Sequence, residues 1–415
     1  MIFKHDFDEN QTSTQEAAFA SVREECDSQT VGYYALPSDS DGLIDRLEDF
    51  KQQNSILASG KIRDIAIVGI GGSSLGTKGI DSLLKSKATN LRTLHFFENT
   101  DPIIISETLS KLTKENTLFI IISKSGTTIE TISIFKTIIS HFGLEIEGSD
   151  KERILIITDQ GSALSKFGNH YDLAQFSIPQ NVGGRFSVLS AVGIVPLTLA
   201  GYDTKALLEG AESFLQRFFE RKEDHLLTKA SYLYLNSHEK TINVIFAYAN
   251  ELENLCKWYV QLWGESLGKI DSSGKSVGLT PASLIGSVDQ HSFLQLLIEG
   301  PKDKTVTFLT IEDFETPLVI PNISLKYLEM TDFVNSKNFN TLINLQCDAT
   351  KESLDMNGIP TDQIVFPKRD EANVGTLIMY YELLTSLVGA MMHIHTYDQP
   401  GVELGKQILY KKFES

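Results

Sequence analysis

Two short stretches carry the residue types from which an anion site is built. The run "DIAIVGIGGSSLG", residues 64–76, stops a β-branched apolar segment at glycine and serine. It matches neither a dinucleotide fingerprint, because Ser74 occupies the third glycine position, nor a Walker loop, because Thr77 stands where lysine is required. The physical content survives both mismatches. Glycines let the backbone approach a ligand, and small hydroxyls follow at an expected helix start. The run "IIISKSGTTIET", residues 120–131, repeats the plan. It offers Ser123, Ser125, Thr127 and Thr128 as hydroxyl donors, Lys124 as a cation and Gly126 as a tight turn. The free N–H groups of the following helix complete a phosphate cradle. The alternative is an ordinary helix capped by Ser or Thr with Glu130 in its first turn.

Four further residues could move protons or steady charge. Arg185 follows two glycines in "NVGGRFSVLSAVG", where the backbone can pass close to a ligand, or it is a loop arginine in a surface ion pair. Glu265 lies among apolar and small residues in "QLWGESLGK". Burial there would raise its pKa toward the range of a general base, whereas an exposed Glu265 would face Lys269 at i+4. His291 in "GSVDQHSFLQLL" is a cap, a solvated turn residue or a proton shuttle near neutral pH. Lys406 ends the glycine-containing turn "YDQPGVELGK" and is otherwise a solvent lysine.

The elements that must position these residues follow from periodicity. Apolar β-rich runs at "DIAIVGI", "TLHFFEN", "TLFIIIS" and "RILIITD" alternate with helical patterns such as "TTIETISIFKTIISHF". That alternation predicts βαβ units and parallel sheets covered by helices on both faces. A second series, "TINVIFAY", "TVTFLTI" and "QIVFP", begins after a charged helical stretch, so two α/β domains in tandem are expected with a boundary near 195–230. Residues before about 60 read as helical and polar. "VGTLIMYYELLTSLVGAMMHI", residues 374–394, reads as a long buried C-terminal helix rather than a membrane span, since it carries Glu382, two glycines and several hydroxyls.

Composition bounds the partners. The 415 residues carry a net charge of −17, which argues against a broad nucleic-acid or anionic-membrane surface. A small anionic ligand needs only local donors. The N-terminus has no apolar signal-like core, and the three cysteines show no paired spacing, so neither a disulfide framework nor a zinc site is suggested and a cytoplasmic protein is expected.

In this order the stretches resemble the phosphoglucose isomerase family. "VGGRFSVLSAVG" and "YDQPGVELGK" are similar to that family's two signature stretches, with "GIGGSSLG", "SKSGTTIET", "ESLGK" and "DQHSFLQL" ranged before and between them. The resemblance spans residues 69–406. It implies two SIS-type parallel-sheet α/β/α sandwich domains, at 61–200 and 201–395. An N-terminal helical segment, 1–60, precedes them, and a C-terminal segment, 396–415, carries the lysine motif. It also implies interconversion of glucose 6-phosphate and fructose 6-phosphate without metal or organic cofactor. Ser123, Lys124, Ser125 and Thr128 are then expected to hold the phosphate, and Gly72, Ser73, Gln261 and Gln399 to line the sugar. Glu265 is the expected base, His291 and Lys406 open the ring, and Arg185 steadies the charged intermediate. A homodimer is implied, with His291 donated across the interface. Leu267 and Pro400 depart from the family's usual residues, and the chain lacks peripheral insertions of long members. The chemistry is consistent with these roles. One carboxylate can shuttle a proton between adjacent carbons, and a permanently charged guanidinium suits a cis-enediolate. The phosphate does not react; it anchors the carbon skeleton. The competing expectations are an isomerase of mannose or amino-sugar phosphates and a non-catalytic sugar-phosphate sensor.

Overall fold

The computed structural model describes residues 1–5, 7, 12–87 and 92–414. Two five-stranded sheets dominate it. In chain order the strands are β1 (Ile2–His5), β2 (Asp64–Val68), β3 (Thr93–Phe97), β4 (Thr117–Ile122), β5 (Ile154–Asp159), β6 (Ala174–Ile178) and β7 (Ile242–Ala247). They continue with a small hairpin, β8 (Lys269–Ile270) and β9 (Ser276–Val277), then β10 (Thr280–Ile285), β11 (Lys304–Asp313) and β12 (Thr361–Lys368). The first sheet runs β3-β2-β4-β5-β6 with every pair parallel. The second runs β1-β12-β11-β7-β10, parallel except for β1, which pairs antiparallel with β12.

β4 is buried at all six positions, as its continuous apolar sequence requires of a central strand. Strand order reverses at β2 and β4, since β3 lies beyond β2 while β5 and β6 lie beyond β4. The carboxyl ends of β2 and β4 therefore flank a topological switch point, where a ligand crevice opens in such sheets. One large apolar cluster joins both sheets, uniting Ile65, Ile67 and Ile120 with Leu309, Ile364 and Phe366. The outer faces of the sheets close over two smaller clusters. The Glu253–Leu267 helix, which follows β7, packs on the Leu75–Leu84 helix, which follows β2, so the second sheet's helix reaches the first sheet's crevice.

The Glu371–Met391 helix is the one described helix long and apolar enough to cross a membrane, and it is buried in the core. The sequence expectation of an all-helical start differs from what is found. Ile2–His5 is a strand, and helices begin with Thr12–Asp27; residues 6 and 8–11 of that expected segment lie outside the described residues. The strands that periodicity missed are the two-residue strands of the β8–β9 hairpin and β1, β6 and β10, which lie at the edges of the two large sheets. An edge strand tolerates Pro281, and it tolerates the polar residues of "AQFSI", because only one side is paired and burial is incomplete.

Candidate active site

The site is assembled at the carboxyl ends of β2 and β4. After β2 the chain enters a 3-10 turn, Gly71–Ser73, which lies against a second one, Gly184–Phe186. Gly72 makes this possible, since a Cβ there would sit 2.2 Å from the Gly184 carbonyl oxygen. After β4, Ser123 Oγ lies 2.9 Å from Thr128 Oγ1 and accepts from the Gly126 N–H at 3.1 Å, closing a hydroxyl-rich turn; Gly126 has φ +70°. Thr128 is the N-cap of the Ile129–Phe142 helix, yet its side chain makes no capping bond. The Leu75–Leu84 helix after β2 is likewise uncapped by a side chain. The helix after β5, Ala163–His170, is capped in the ordinary way, with Ser162 Oγ accepting from Ser165 N–H. Of the alternative reading of residues 123–131 as an ordinary capped helix, Thr128 at the N-cap and Glu130 in the first turn are found, and the side-chain capping bond is not. Two adjacent helix N-termini keep the N–H groups and positive dipole ends that suit an anion.

Lys124 takes a different position from the one its type suggested. Its ammonium donates to the carbonyls of Gln180 at 2.9 Å and Val182 at 2.6 Å. It thus ties the turn after β4 to the loop leading into Arg185, while its charge stays beside the cradle. Ser125 is exposed, and its Oγ accepts from Thr127 N–H at 3.3 Å.

Arg185 is not a surface residue. It is 2 % exposed, and its five N–H donors are all engaged. Nε donates to Ser266 Oγ at 2.7 Å, and Nη1 to Glu265 Oε2 at 3.2 Å and Gln399 Oε1 at 3.0 Å. Nη2 donates to the carbonyls of Thr396 at 2.7 Å and Asp398 at 3.1 Å. Burial pulls the pKa of this guanidinium down, and the Glu265 carboxylate opposes that shift. The other Glu265 oxygen accepts from Gln261 Nε2 at 3.1 Å. Gln261 in turn abuts Gly71, where a Cβ would lie 2.9 Å from its Nε2.

Glu265 is not buried as the sequence reading allowed; 36 % of its side chain is exposed. It faces a cavity of about 640 Å³ lined by Gly264, Lys269, His395, Gln399 and Pro400 among others. The expected i+4 pairing with Lys269 is not formed through the carboxylate. The helix ends at Leu267, so Lys269 folds back and donates to the Glu265 main-chain carbonyl at 2.7 Å and to that of Asp398. Burial lowers the Lys269 pKa, and Asp398 opposes this. A carboxylate with both oxygens oriented, a spare lone pair toward a cavity and a fixed cation beside it can take up a proton and steady an adjacent oxyanion.

A sequence profile of the family described as phosphoglucose isomerase matches residues 38–414. The chain belongs to the phosphoglucose isomerase family. A glucose-6-phosphate isomerase of Campylobacter jejuni is 45% identical over 388 residues, 94% of this chain and 93% of the relative. Among solved structures, a hypothetical protein from Thermus thermophilus superposes with a TM-score of 0.86 at 29% identity, covering 97% of this chain and 95% of its own. A glucose-6-phosphate isomerase from Chlamydia trachomatis shares the fold, with a TM-score of 0.82 at 22% identity over 99% of this chain and 88% of its own.

Of the residues expected for that family's site, Arg185 contacts Glu265 and Gln399, Gln261 contacts Glu265 and abuts Gly71, and the Gly71–Ser73 turn lies against Gly184–Phe186, while Ser123 and Thr128 contact each other in the turn after β4. One chain does not bring His291 or Lys406 to the cavity. His291 ends an exposed 3-10 turn, Val288–His291, after β10. Lys406 sits on the Glu403–Glu414 helix, which has no buried residue, and pairs there with Glu403 at 2.7 Å. Both departures from the usual phosphoglucose isomerase sequence are accommodated. Leu267 is fully buried, and Pro400 opens the 3-10 turn Pro400–Val402 at the cavity edge. The sequence reading missed Ser266 and the carbonyls of Thr396 and Asp398, and it gave Lys269 only as an i+4 partner of Glu265. Ser266 and Lys269 stood within a quoted stretch, but main-chain acceptors leave no trace in residue type.

Proposed function

We propose that this chain interconverts D-glucose 6-phosphate and D-fructose 6-phosphate through a cis-enediol intermediate, with Glu265 as the base. The observation that carries this is the Arg185–Glu265 pair at the edge of a cavity, with Gln261 linking Glu265 to the Gly71 turn after β2. The hydroxyls of Ser123, Ser125 and Thr128 and the free N–H groups of Ile129–Phe142 receive the phosphate, with Lys124 adding charge while tethering the arginine loop. Gly72, Ser73, Gln261 and Gln399 line the sugar. Glu265 removes the C2 proton and returns it at C1, and Arg185 steadies the enediolate oxygen as charge develops. Isomerisation in deuterated water should incorporate solvent deuterium at C2 of the glucose 6-phosphate formed from fructose 6-phosphate. Turnover of glucosamine 6-phosphate alone would overturn this assignment.

The ring-opening groups are supplied by a homodimer, with His291 reaching the neighbouring subunit's cavity and Lys406 carried by the protruding C-terminal helix. Support comes from what one chain leaves uncovered. Leu404, Ile408, Tyr410 and Phe413 are exposed on that helix, and Leu318, Ile323, Tyr327 and Phe333 are exposed in the loop after β11. The two sheets support domains at 61–200 and 201–395, and the three free cysteines suit a cytoplasmic setting.

A further inference from the structure

The main-chain segment that grips the Arg185 guanidinium is itself held by a polar cluster the reaction does not use. Tyr397 lies between Thr396 and Asp398, whose carbonyls accept from Nη2. Its hydroxyl donates to Glu25 Oε2 and lies 3.0 Å from Ser386 Oγ. Tyr34 donates to the same Glu25 oxygen at 2.8 Å, and Tyr33 completes the cluster 2.8 Å from Ser386 Oγ. The rings make a second connection. Phe186, the residue after Arg185, stacks on Tyr33 at 5.0 Å and packs on Tyr397 at 5.4 Å. Glu25 belongs to the Thr12–Asp27 helix, Ser386 to the Glu371–Met391 helix and Tyr33 and Tyr34 to the 3-10 turn Gly32–Ala35. Neither Glu25 nor Tyr34 lines the cavity. A carboxylate with two phenol donors on one oxygen fixes both phenols in direction, because each hydrogen bond is charge-assisted and partly shielded from water.

We propose that Glu25 is a positioning residue for the isomerisation: through Tyr34 and Tyr397 it fixes the 396–399 segment, and thereby the direction in which Arg185 faces Glu265. The proposal rests on the reading of Arg185 as the group that steadies the enediolate. Its signature is selective. Loosening the segment weakens interaction with charge at the enediolate oxygen and spares binding of the neutral carbon chain and the phosphate.

The test compares two inhibitors: 5-phospho-D-arabinonate, whose carboxylate stands for the enediolate, and D-glucitol 6-phosphate, which has no charge there. Tyr397→Phe keeps the ring and deletes the hydroxyl. It should raise the inhibition constant of the arabinonate and lower kcat by about 5- to 10-fold, the factor for one lost hydrogen bond. The glucitol constant and KM should stay within about twofold. Glu25→Ala should do the same, and Glu25→Gln, which keeps an accepting oxygen, should fall between it and the unaltered enzyme. If Tyr397→Phe does not fold, the two Glu25 variants make the same comparison. Arg185→Lys calibrates the ratio. If Arg185→Lys shifts the ratio and the Glu25 and Tyr397 variants do not, or raise both constants equally, the positioning role is wrong and the arginine reading stands. If Arg185→Lys leaves the ratio unchanged, the arginine reading falls and the proposal with it.

Discussion

Gly72 bears more of the site's geometry than its lack of a side chain suggests. A Cβ there would lie 2.2 Å from the Gly184 oxygen, 2.3 Å from the Gly184 carbonyl carbon and 2.8 Å from the Arg185 nitrogen. All three are backbone atoms, so no rotamer can relieve the contact. Restoring an ordinary separation of about 3.5 Å requires the two 3-10 turns to part by roughly 1 Å. Overpacking of that size costs about 1–3 kcal/mol, which is survivable for a core of this extent. The catalytic effect is larger, because Arg185 rides on the displaced turn and a 1 Å misplacement costs on the order of 10²-fold in rate. Gly72→Ala should therefore lower kcat/KM for fructose 6-phosphate by about two orders of magnitude while melting falls by only a few degrees. Gly183→Ala is the control. Gly183 belongs to the same turn with φ −68°, and a Cβ there meets its nearest atoms, in Phe186 and Tyr397, at 3.7 Å. It should stay within about threefold of the unaltered enzyme. Equal behaviour of the two variants in a coupled assay would refute the argument that the Gly72 contact sets the arginine's position.

Glu265→Gln should cut kcat by about 10²–10⁴-fold while glucitol 6-phosphate still binds, and substantial residual turnover would reassign the base. Lys124→Met removes donors to Gln180 and Val182 as well as a charge near the phosphate. It should lower kcat and raise KM together by several-fold each, and a change confined to KM would reduce Lys124 to a phosphate contact. If the proposed homodimer shares its sites, mixing inactive Glu265→Gln and His291→Ala chains, unfolded and reassembled at equal ratio, should recover about one quarter of full activity, because half the dimers would be hybrids with one intact site each. No recovery would place His291 in its own subunit's site. Glu382 is buried with both carboxyl oxygens unpartnered, and burial holds its pKa well above the ordinary carboxylate range. The folded state thus keeps a proton that the unfolded state releases above about pH 4.3, so stability declines as pH rises from there toward the folded pKa. Glu382→Gln should flatten that slope, raising Tm more at pH 8 than at pH 5; an equal shift at both would contradict it.

What the sequence disclosed tracks how local each determinant is. β2, β4, β5, β7 and β11 are buried strands whose apolar runs are self-announcing. The edge strand β1 depends on a neighbour far along the chain, as Ile2 pairs with Val365 and no window around residue 2 contains that partner, whereas β6 and β10 lack a continuous apolar run, with Gln175 and Ser177 in one and Pro281 in the other. The site divides the same way. Glycine–hydroxyl turns after β2 and β4 are legible because their conformations need those residue types. The fate of Lys124 was not, since a lysine reaches whichever carbonyls the tertiary structure brings near. The Glu265–Lys269 spacing promised a helical ion pair, but the helix stops at Leu267 and the lysine turns to main-chain oxygens instead.

Arg185 shows why the site has to be built this way. A guanidinium buried without partners would be prohibitively unfavourable, so its five donors must be met before substrate arrives. Three of the acceptors, Ser266 Oγ and the carbonyls of Thr396 and Asp398, lie on Nε and Nη2 and fix the plane of the group. The remaining two, Glu265 Oε2 and Gln399 Oε1, both sit on Nη1 and both face the cavity. Only Nη1 can therefore be turned toward a substrate oxygen without stranding a donor in the protein interior. In the proposed mechanism, Glu265 on taking up the C2 proton would lose the charge that held Nη1, at the moment the enediolate oxygen acquires one. The cation would then keep a negative partner throughout, so that proton transfer and charge stabilisation would proceed without leaving Arg185 buried and unpaired at any stage.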